Sequence, residues 1–398
     1  MKVLMINEVC GITSTGRICT DIADILTAKG HTCKIAYSYG RHNVLPQHEK
    51  YAIKIGNKSD VYFHALASRI FDNTGFYSIK ATKEFIKEID EFNPDIIHLH
   101  NLHGYYINIE ILFNYLKKVN KPVLWTLHDC WSFTGHCAYY DYFKCDKWLD
   151  GCYQCKLKKE YPASVVFDNS KNNYKKKKEL FSGVKNLKIA TPSCWLKNQV
   201  EKSFLKEYEA IVINSGIELD VFKYTNGDFR EKNNLKDKKI ILGVANVWSA
   251  RKGIKDFIRL SEELSDEWQI VLVGDIRETK CPEKIIHIPH TNSMEELAEI
   301  YSAADVYLNL SYEETQGLTT IEAMACGTPV VVYNKTAIPE CVTEKCGVVI
   351  QGFDVKRIKE AMQRAISLNS EDCIENARKY KKVECFEKYI QVYGEMVK

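Results

Sequence analysis

Residues 305–333 read DVYLNLSYEETQGLTTIEAMACGTPVVVY. The short apolar segment Val306–Leu310 predicts a buried strand, and the polar segment Ser311–Gln316 predicts a loop. Gly317–Ala325 predicts a helix that ends at a Gly-Thr-Pro triplet, and the β-branched Val330–Tyr333 predicts a second strand. The result is a strand–loop–helix–strand unit whose loop delivers a glycine to a helix N-terminus.

The helix N-terminus at Gly317 is suited to binding a phosphate. Free backbone N–H groups and the helix dipole give such a terminus a partial positive charge, and Thr319 and Thr320 add hydroxyl donors. Two carboxylates flank the terminus, Glu314 in the loop and Glu322 in the helix. They would repel a phosphate, but they can accept hydrogen bonds from hydroxyls on either side of it, as on a ribose and a sugar. An ordinary helix start with acidic residues near its positive end is the alternative interpretation.

The spacing of the two glutamates carries a family resemblance. Glu314 and Glu322 are separated by seven residues, with Gly317-Leu318 between them and AMACGTPV after them. This pattern resembles the E-x7-E signature of family 4 (group 1) glycosyltransferases. The resemblance implies an α/β GT-B fold, in which two doubly wound Rossmann-like domains face a central cleft and a C-terminal helix crosses back to the N-terminal domain. Gln316 stands where the family usually has an aromatic residue, so the wall beside the donor sugar is expected to differ.

The resemblance also implies roles for the residues of the signature. Glu314 would contact the donor sugar and would be catalytic, and Glu322 would hold the ribose. Gly317 would allow the backbone N–H groups of Leu318 and Thr319 to bind the diphosphate of the donor.

Composition and charge indicate a soluble globular protein of two domains. The chain has 398 residues, of which 45% are hydrophobic and 27% charged, and its net charge of +3 gives no reason to expect a nucleic-acid partner. It contains no apolar run near the roughly 20 residues that span a bilayer. The N-terminal MKVLMINEV turns polar too early for a signal peptide. The fifteen cysteines are therefore expected to be reduced, in the cytoplasm.

Two domains and a terminal helix are expected. An N-terminal Rossmann-like acceptor domain is predicted at 1–209, with a cysteine-rich insertion at about 130–160. A nucleotide-sugar-binding domain is predicted at 210–380, and a helix that packs back on the N-terminal domain at 381–398. Residues 38–80 lack clear periodicity and are interpreted as loops with one or two short helices.

The chain begins with a strand–helix–strand pattern. Lys2–Ile6 and Cys33–Tyr37 predict strands, and the apolar periodicity of Arg17–Lys29 predicts a helix between them. No G-x-G-x-x-G motif is present here, so a dinucleotide site is only weakly indicated. By the resemblance, Gly16 at the loop–helix junction would let the donor approach the backbone. A plain turn glycine is the alternative.

Four histidines lie near the ends of predicted strands, namely His98, His100, His103 and His128. Ligands of doubly wound sheets bind at the carboxyl ends of the strands. His128, in the tetrapeptide TLHD, resembles the family's histidine that faces the donor sugar and the acceptor, and it is the second candidate catalytic residue. His98 and His100 are interpreted as hydrogen-bonded core or rim histidines, with a histidine-rich metal site as the alternative.

A second helix N-terminus carries cations. Lys239–Val244 predicts a strand and Ile254–Leu264 predicts a helix, with Arg251-Lys252-Gly253 between them. Two cations there suit a diphosphate, because charge-assisted hydrogen bonds are about twice as strong as neutral ones. The family usually has G-R-L-x-x-x-K-G, of which the Lys-Gly end is present. Asn246 and Val247 replace its glycine and arginine, and Arg251 is expected to supply the missing charge.

Cys137, Cys145, Cys152 and Cys155 form the pattern C-x7-C-x6-C-x2-C. The C-x2-C end is typical of zinc knuckles, in which thiolates coordinate the metal tetrahedrally. A segment this short and polar buries little apolar surface, so a metal would supply its folding free energy. A structural zinc is therefore the hypothesis, with an iron–sulfur cluster and free buried cysteines as alternatives. The segment resembles an insertion found in a bacterial capsular and exopolysaccharide-assembly subgroup of the family.

Two lysine-rich runs follow the cysteines, at Lys156–Lys159 and Lys171–Lys178. A solvated helix face explains such runs. Contact with an anionic membrane surface is the alternative, since each lysine near such a surface contributes about 1 kcal/mol. A lipid-linked acceptor would fit peripheral contact with the inner face of the membrane.

The resemblance and the residues together predict a retaining, metal-independent hexosyltransferase. It would move a sugar from a UDP- or GDP-sugar to a saccharide or lipid-linked acceptor in polysaccharide biosynthesis, with no cofactor required for catalysis. A nucleotide-sugar epimerase of the same architecture is one alternative, which release of nucleotide without an acceptor would favour. A non-catalytic nucleotide-sugar-binding subunit is another, which binding without turnover would favour.

Overall fold

The computed structural model describes residues 1–38, 44–277 and 279–398. Within them the chain forms two compact units. The first unit comprises Met1–Ile213 together with Phe386–Lys398, and the second comprises Asn214–Cys385.

The first unit is built on a seven-stranded parallel sheet. Its strands are β1 Lys2–Ile6, β2 Thr32–Ser38, β3 Ala52–Ile55, β4 Ile96–Leu99, β5 Val123–Thr126, β6 Leu187–Thr191 and β7 Ala210–Val212. Their order in the sheet is β3-β2-β1-β4-β5-β6-β7. The central strands β4 and β5 are buried along their whole length, as is typical of a parallel sheet that is covered on both faces. The strand order reverses between β1 and β4, so the first unit is doubly wound.

The helices of this unit that precede its last segment are α1 Thr13–Ala28, α2 Lys58–Phe71, α3 Ile79–Phe92, α4 Ile109–Val119, α5 Ser170–Phe181 and α6 Cys194–Lys202. The region 38–80 is more helical than its sequence predicts, since α2 alone has 14 residues. The α2 helix begins at a capping box of Asn57 and Asp60, but it exposes several large apolar residues on its outer face, and these obscure the helical periodicity. Residues 39–43 of that region lie outside the described residues.

The second unit is built on a six-stranded parallel sheet. Its strands are β8 Lys239–Val247, β9 Trp268–Asp275, β10 Ile285–Ile288, β11 Val306–Asn309, β12 Val330–Tyr333 and β13 Gly347–Ile350. Their order is β10-β9-β8-β11-β12-β13, with the reversal between β8 and β11. The helices of this unit are α7 Phe229–Lys232, α8 Ile254–Glu263, α9 Met294–Ala303, α10 Leu318–Ala325, α11 Val355–Ala365 and α12 Ser370–Arg378. Two apolar clusters, one on each side of the sheet's buried strands, form its core.

The C-terminal helix α13, Lys382–Val397, belongs to the first unit from Phe386 onward. Tyr389 and Tyr393 of this helix are buried. The hydroxyl of Tyr393 lies 2.6 Å from Nδ1 of His98 in β4, and Thr126 of β5 donates to the Tyr389 hydroxyl at 3.3 Å. The predicted return of the last helix to the first unit is thus confirmed. Among the described residues, no helix is long and apolar enough to span a membrane.

Candidate functional site

The predicted donor-binding residues follow the two strands at which the second sheet reverses its order. Arg251 and Lys252 follow β8, and Glu314 and Gly317 follow β11, its neighbour in the sheet. Ligands of doubly wound sheets bind at such a reversal, beyond the carboxyl ends of the strands. The topology therefore brings the two predicted groups of residues to one edge of the second sheet.

Gly253 allows the helix α8 to begin close to β11. It is the N-cap of α8 with a φ of 79°, a conformation that favours glycine. A Cβ atom at this position would lie 2.2 Å from the carbonyl oxygen of Leu310, at the end of β11. Only glycine fits here without a shift of the backbone, so Gly253 fixes where the preceding Arg251 and Lys252 lie.

Lys252 and Glu314 form an ion pair through Nζ and Oε1, and both side chains are mostly buried. Arg251 lies beside them, and its Nη1 donates to the carbonyl oxygen of Glu313 at 2.6 Å. Burial opposes ionisation of Glu314, but the positive charges of Lys252 and Arg251 outweigh it and hold the pKa of Glu314 below its ordinary value. Glu314 is therefore ionised at neutral pH, and the two cations that the sequence predicts for a diphosphate lie at this carboxylate.

The helix α10 begins at Gly317, whose φ is 89°. In the first turn, the Thr319 hydroxyl accepts a hydrogen bond from the Tyr307 hydroxyl at 2.7 Å. The Thr320 hydroxyl accepts one from Nδ2 of Asn309 at 2.9 Å, and Thr320 is buried. The sequence offers both threonines to a phosphate. The Thr320 hydroxyl instead bonds within the protein interior, whereas Thr319 is half-buried.

Glu322 is half-buried on α10, and its Oε2 accepts a hydrogen bond from the Tyr301 hydroxyl at 3.0 Å. Tyr301 is fully buried and packs edge-on against Tyr307 at 5.7 Å between ring centroids. Two buried tyrosines, from α9 and β11, therefore hold Glu322 and Thr319 in place. The sequence analysis missed both; the only signal was the position of Tyr307 on a buried strand beside α10.

Gln316 is buried, and its side-chain amide makes two hydrogen bonds to the backbone of Ser215. Its Oε1 accepts from the Ser215 N–H at 2.9 Å, and its Nε2 donates to the Ser215 carbonyl at 2.8 Å. The amide therefore fixes the first residues of the second unit. This structural use accounts for a polar residue at a position where an aromatic one was expected.

In the first unit, His128 follows β5 and pairs with His100, which follows β4. His100 Nδ1 and His128 Nε2 are 3.0 Å apart, and the two rings are stacked. His98 is hydrogen-bonded to Tyr393 and Thr126, as its interpretation as a core histidine requires. Burial lowers the pKa of His128 to about 4 and holds the pKa of His98 and His100 well below 6.5, so all three are neutral at pH 7.

A second polar group at the same edge of the first sheet contains His103 and Asp129. Their Nε2 and Oδ2 atoms are 2.8 Å apart, and the Tyr161 hydroxyl lies 3.1 Å from His103 Nδ1. Burial lowers the pKa of His103, but the charge of Asp129 outweighs it and raises the pKa above 6.5. Glu8, after β1, interacts with this pair, and burial raises its pKa. The sequence analysis did not single out Glu8, although it follows a strand at the reversal of the sheet order.

Gly16 lies in the first turn of α1, since that helix begins at Thr13 rather than at Arg17. It is buried, and a Cβ atom there would lie 3.0 Å from a methyl group of Val9 and 3.2 Å from the backbone nitrogen of Gly11. Gly16 therefore packs closely against the loop that follows β1. Its predicted contact with the donor stays a prediction.

The four cysteines of the predicted zinc site line one cavity of about 300 Å³. Cys137 is buried, and Cys145, Cys152 and Cys155 are half-buried. In residues 1–38, 44–277 and 279–398, no three or more histidine, cysteine, aspartate or glutamate side chains are grouped so that they could hold a metal ion. The structure thus places the four thiols around a common space but does not assemble them into a coordination shell.

The second lysine run lies on α5, where Lys171, Lys175, Lys176 and Lys178 are exposed. Lys177 is the exception, with 1% exposure. A solvated helix face therefore describes most of this run, but not Lys177.

Two doubly wound parallel sheets, the second with cations and carboxylates at its reversal, define the GT-B class of fold. Residues 15–155 match the model of Glycosyltransferase Family 4, and residues 226–380 match the model of Glycosyl transferases group 1. The chain belongs to the family 4 (group 1) glycosyltransferases, as the E-x7-E resemblance implied.

A curated relative and several solved structures are similar to this chain over nearly its whole length. WcaC of Escherichia coli K12, named as a colanic acid biosynthesis glycosyl transferase, is 23% identical over 381 residues, which cover 92% of this chain and 91% of WcaC. Sucrose-phosphate synthase from Thermosynechococcus elongatus has a TM-score of 0.71 at 16% identity, with 99% and 98% of the two chains covered. HepE of Anabaena in complex with UDP-glucose has a TM-score of 0.68 at 12% identity, with 99% and 100% covered. The structural likenesses confirm the predicted fold.

Proposed function

We propose that this protein transfers a sugar, with retention of anomeric configuration, from a nucleoside-diphosphate sugar to a saccharide acceptor in polysaccharide biosynthesis. The observation that carries the proposal is the contact of Lys252 with Glu314, which joins the loop before α8 to the loop before α10. The relationship to WcaC supports the pathway class, and the UDP-glucose complex of HepE supports the donor class.

In the proposed reaction, the bond between the anomeric carbon and the diphosphate breaks, and a bond from that carbon to the acceptor hydroxyl oxygen forms. The nucleoside diphosphate leaves with an additional negative charge, and the hydroxyl proton passes to the leaving diphosphate. Lys252, Arg251 and the backbone N–H groups of Leu318 and Thr319 would neutralise that charge. Fixed cations and amide dipoles stabilise a transition state where charge develops, without reorganisation of the site. This arrangement can replace a divalent metal, so transfer is expected to proceed in the presence of a chelator.

The two glutamates would bind hydroxyl groups on either side of the diphosphate. Glu322, held by Tyr301, would accept hydrogen bonds from the ribose. Glu314 would accept them from the donor sugar. Because Lys252 contacts Glu314 in this structure, the bound diphosphate would have to share or take over the lysine.

Substitution of the lysine tests the proposal. Lys252→Met should weaken the binding of UDP or GDP about ten- to a hundredfold, because a charged hydrogen bond contributes about 1.5–3 kcal/mol. Calorimetric titration of both nucleotides measures the change, and Lys255→Met, an exposed lysine in the first turn of the following helix α8, is the matched control. Equal affinity in the Lys252 and Lys255 variants would contradict the proposed role.

Glu314→Gln should lower turnover without lowering the affinity for the free nucleotide. It releases Lys252 from its carboxylate partner, so the affinity for the free nucleotide is expected to stay or rise. The turnover should fall, because the carboxylate no longer serves the donor sugar. A fall in nucleotide affinity with unchanged turnover would assign Glu314 to the nucleotide instead. Nucleotide release without an acceptor would indicate an epimerase or a hydrolase.

An exposed apolar patch in the first unit supports a lipid-linked acceptor. It consists of six large side chains, each at least 52% exposed: Tyr62, Phe63, Leu66, Val165, Val166 and Phe167. Backbone hydrogen bonds from Val165 to Arg69 and from Phe167 to Ile70 join the two segments. Lys158 donates to the carbonyl of Val166 at 2.9 Å, and Lys58 lies over the Tyr62 ring. Aromatic and aliphatic side chains flanked by lysines suit the surface of an anionic membrane.

The membrane proposal can be tested with vesicles. The protein should sediment with vesicles that contain phosphatidylglycerol, more weakly with pure phosphatidylcholine, and less in high salt. Phe63→Ser with Leu66→Ser should reduce binding at least a hundredfold, since each removes roughly 1.5–3 kcal/mol of apolar burial. Tyr224→Ser, an exposed tyrosine of the second unit, should bind like the wild type. Absence of binding to both vesicles would refute the membrane contact and leave the donor chemistry intact.

A further inference from the structure

A series of histidine contacts in the first unit begins at the C-terminal helix. His98 of β4 lies between the hydroxyls of Tyr393 and Thr126, which are 2.6 Å from its Nδ1 and 2.7 Å from its Nε2. The Thr126 hydroxyl donates to the Tyr389 hydroxyl, so its oxygen accepts a hydrogen bond from Nε2–H of His98. A neutral imidazole carries one N–H. Nδ1 of His98 therefore accepts from Tyr393, and the orientation of the His98 ring is fixed.

His100 packs on His98, with 4.0 Å between the ring centres. Its backbone N–H donates to the Ile6 carbonyl at 2.9 Å, and its carbonyl accepts from Nε1 of Trp125 at 3.2 Å. Nδ1 of its ring lies 3.0 Å from Nε2 of His128. Nε2 of its ring is buried and has no hydrogen-bond partner among the residues that the structure describes. The two nitrogens of His100 thus differ in their surroundings.

This difference decides which nitrogen of His100 carries the proton. Burial holds the pKa of His100 well below 6.5, so the ring is neutral at pH 7 and has a single N–H. Buried N–H groups without an acceptor are rare in proteins. The proton therefore belongs on Nδ1, and His100 donates a hydrogen bond to Nε2 of His128.

The geometry of the His100–His128 pair suits this N–H···N bond. The two ring planes are inclined by only 13°, and the ring centres are 5.3 Å apart. This separation equals the 3.0 Å between the nitrogens plus the radii of two imidazole rings, so both nitrogens lie on the line that joins the ring centres. The lone pair of a ring nitrogen points along that line, as a linear hydrogen bond requires.

His128 therefore has no lone pair for a second proton. Burial lowers its pKa to about 4, so it is neutral at pH 7, and its one N–H is on Nδ1. A base of the histidine–aspartate type has a carboxylate at one ring nitrogen and a lone pair at the other. Asp129 does not supply that carboxylate, because its Oδ2 lies 2.8 Å from Nε2 of His103 and its Oδ1 accepts from the Trp131 N–H at 2.9 Å.

We propose that His100 is a positioning residue that holds His128 in the Nδ1–H tautomer, so that His128 acts as a hydrogen-bond donor to a substrate oxygen and not as a base. The inference rests on the proposed sugar transfer and specifies the part of His128 in it. No nitrogen of His128 takes the proton of the acceptor hydroxyl, which agrees with the passage of that proton to the leaving diphosphate.

Nitrogen NMR of the full chain tests the two tautomers. Protein labelled with ¹⁵N-histidine should show, in long-range ¹H–¹⁵N correlation spectra at pH 7, Nδ1 as the protonated nitrogen of both His100 and His128. The variants His100→Asn and His128→Gln assign the signals, since each loses one set. His290→Gln, at an exposed position, should lose its own set and leave that of His128 unchanged. A proton on Nε2 of His100 or of His128 in the wild type would overturn the proposal.

Two variants of His100 distinguish positioning from packing. The amide of Asn can donate from the place of Nδ1, whereas Phe keeps an aromatic ring but has no donor. His100→Asn should leave the His128 tautomer unchanged, and His100→Phe should shift it to Nε2–H, which a free imidazole favours. An Nδ1–H tautomer of His128 in the Phe variant would show that His100 does not determine it. If the Phe variant does not fold, the wild-type spectrum decides.

Sugar transfer measures the consequence for the reaction. Radiolabelled UDP-glucose and GDP-mannose serve as donors, and a bacterial lipid extract serves as the acceptor. His100→Phe should lower kcat about tenfold, the equivalent of one hydrogen bond, with little change in the KM of the donor, whereas His100→Asn should keep most of the wild-type kcat. An equal loss in both variants would assign His100 to packing alone. If the wild type transfers neither label, the proposed function fails for these donors, and the NMR spectra still decide the two tautomers.

Discussion

Gln316 shows how one side chain can determine the position of a whole segment. Its amide satisfies both the N–H and the carbonyl of Ser215, and it is only 7% exposed. The next residues, Gly317 and Leu318, begin the helix of the proposed diphosphate site. Gln316 therefore links the start of the second unit to the donor-side loop through two buried hydrogen bonds.

Gln316→Ala should destabilise the second unit by about 1–3 kcal/mol, because it leaves a buried N–H and a buried carbonyl without partners. Urea unfolding followed by intrinsic tryptophan fluorescence measures the loss. Gln351→Ala, at an exposed position, should unfold at the wild-type midpoint. Identical midpoints for the two variants would mean that the Ser215 contact adds nothing to stability.

At the scale of single elements, the start of α8 depends on the close approach of two backbones. Gly253 combines a left-handed conformation with a would-be Cβ position 2.2 Å from the Leu310 carbonyl oxygen. Gly352 has a similar φ of 65°, but nothing lies within 4 Å of its Cβ position. Substitution of the two glycines therefore distinguishes the effect of the left-handed conformation from the effect of steric overlap.

Gly253→Ala and Gly352→Ala should both lose about 1 kcal/mol through the left-handed conformation. Only Gly253→Ala should lose more, because the α8 start must move away from β11. That movement displaces Arg251 and Lys252, so nucleotide affinity should fall in this variant alone. Urea unfolding and calorimetric titration with UDP and GDP measure the two effects. A Gly253 variant that binds nucleotide as tightly as the Gly352 variant would argue against this coupling.

The sequence predicts the elements around the proposed donor site closely, because their signals are local. The strand Val330–Tyr333 occurs as predicted, and α10 begins one residue after the predicted helix start at Gly317. The Lys252–Glu314 contact joins residues 62 positions apart, and it follows from the sheet order rather than from any local pattern. The length of α2 is not predicted, because several of its apolar residues face outward, whereas helical periodicity assumes that apolar residues face the core.

At the scale of the whole molecule, the family signature predicted an architecture that composition and periodicity alone would leave open. Two parallel sheets and the return of the last helix to the first unit follow from it. The buried tyrosines of α13 could not be matched to His98 from the sequence, because 295 positions separate Tyr393 from that histidine. Local sequence patterns do not predict long-range polar contacts of this kind.

The neutral histidines of the first unit link its stability to pH. Burial lowers the pKa of His64 to about 3 and of His128 to about 4, and it holds the pKa of His98 and His100 well below 6.5. In the unfolded chain these groups titrate near 6.5. Between about pH 6.5 and 4 the unfolded chain therefore binds more protons than the folded one, so the free energy of unfolding must fall as the pH falls. His103 has a raised pKa, and its contribution is fully present below pH 6.5, so it does not reverse the trend.

The urea midpoint should therefore decrease from pH 7 to pH 5, because each such histidine removes up to about 1.4 kcal/mol per pH unit once it titrates in the unfolded chain. Glu8, whose pKa burial raises, opposes this trend as a single group. His98→Gln should reduce the slope of the unfolding free energy against pH by the contribution of one histidine, whatever its effect on stability at pH 7. His290→Gln, at an exposed position, should leave the slope unchanged. Stability that is constant or higher at pH 5 would show that these buried imidazoles accept protons without loss of packing.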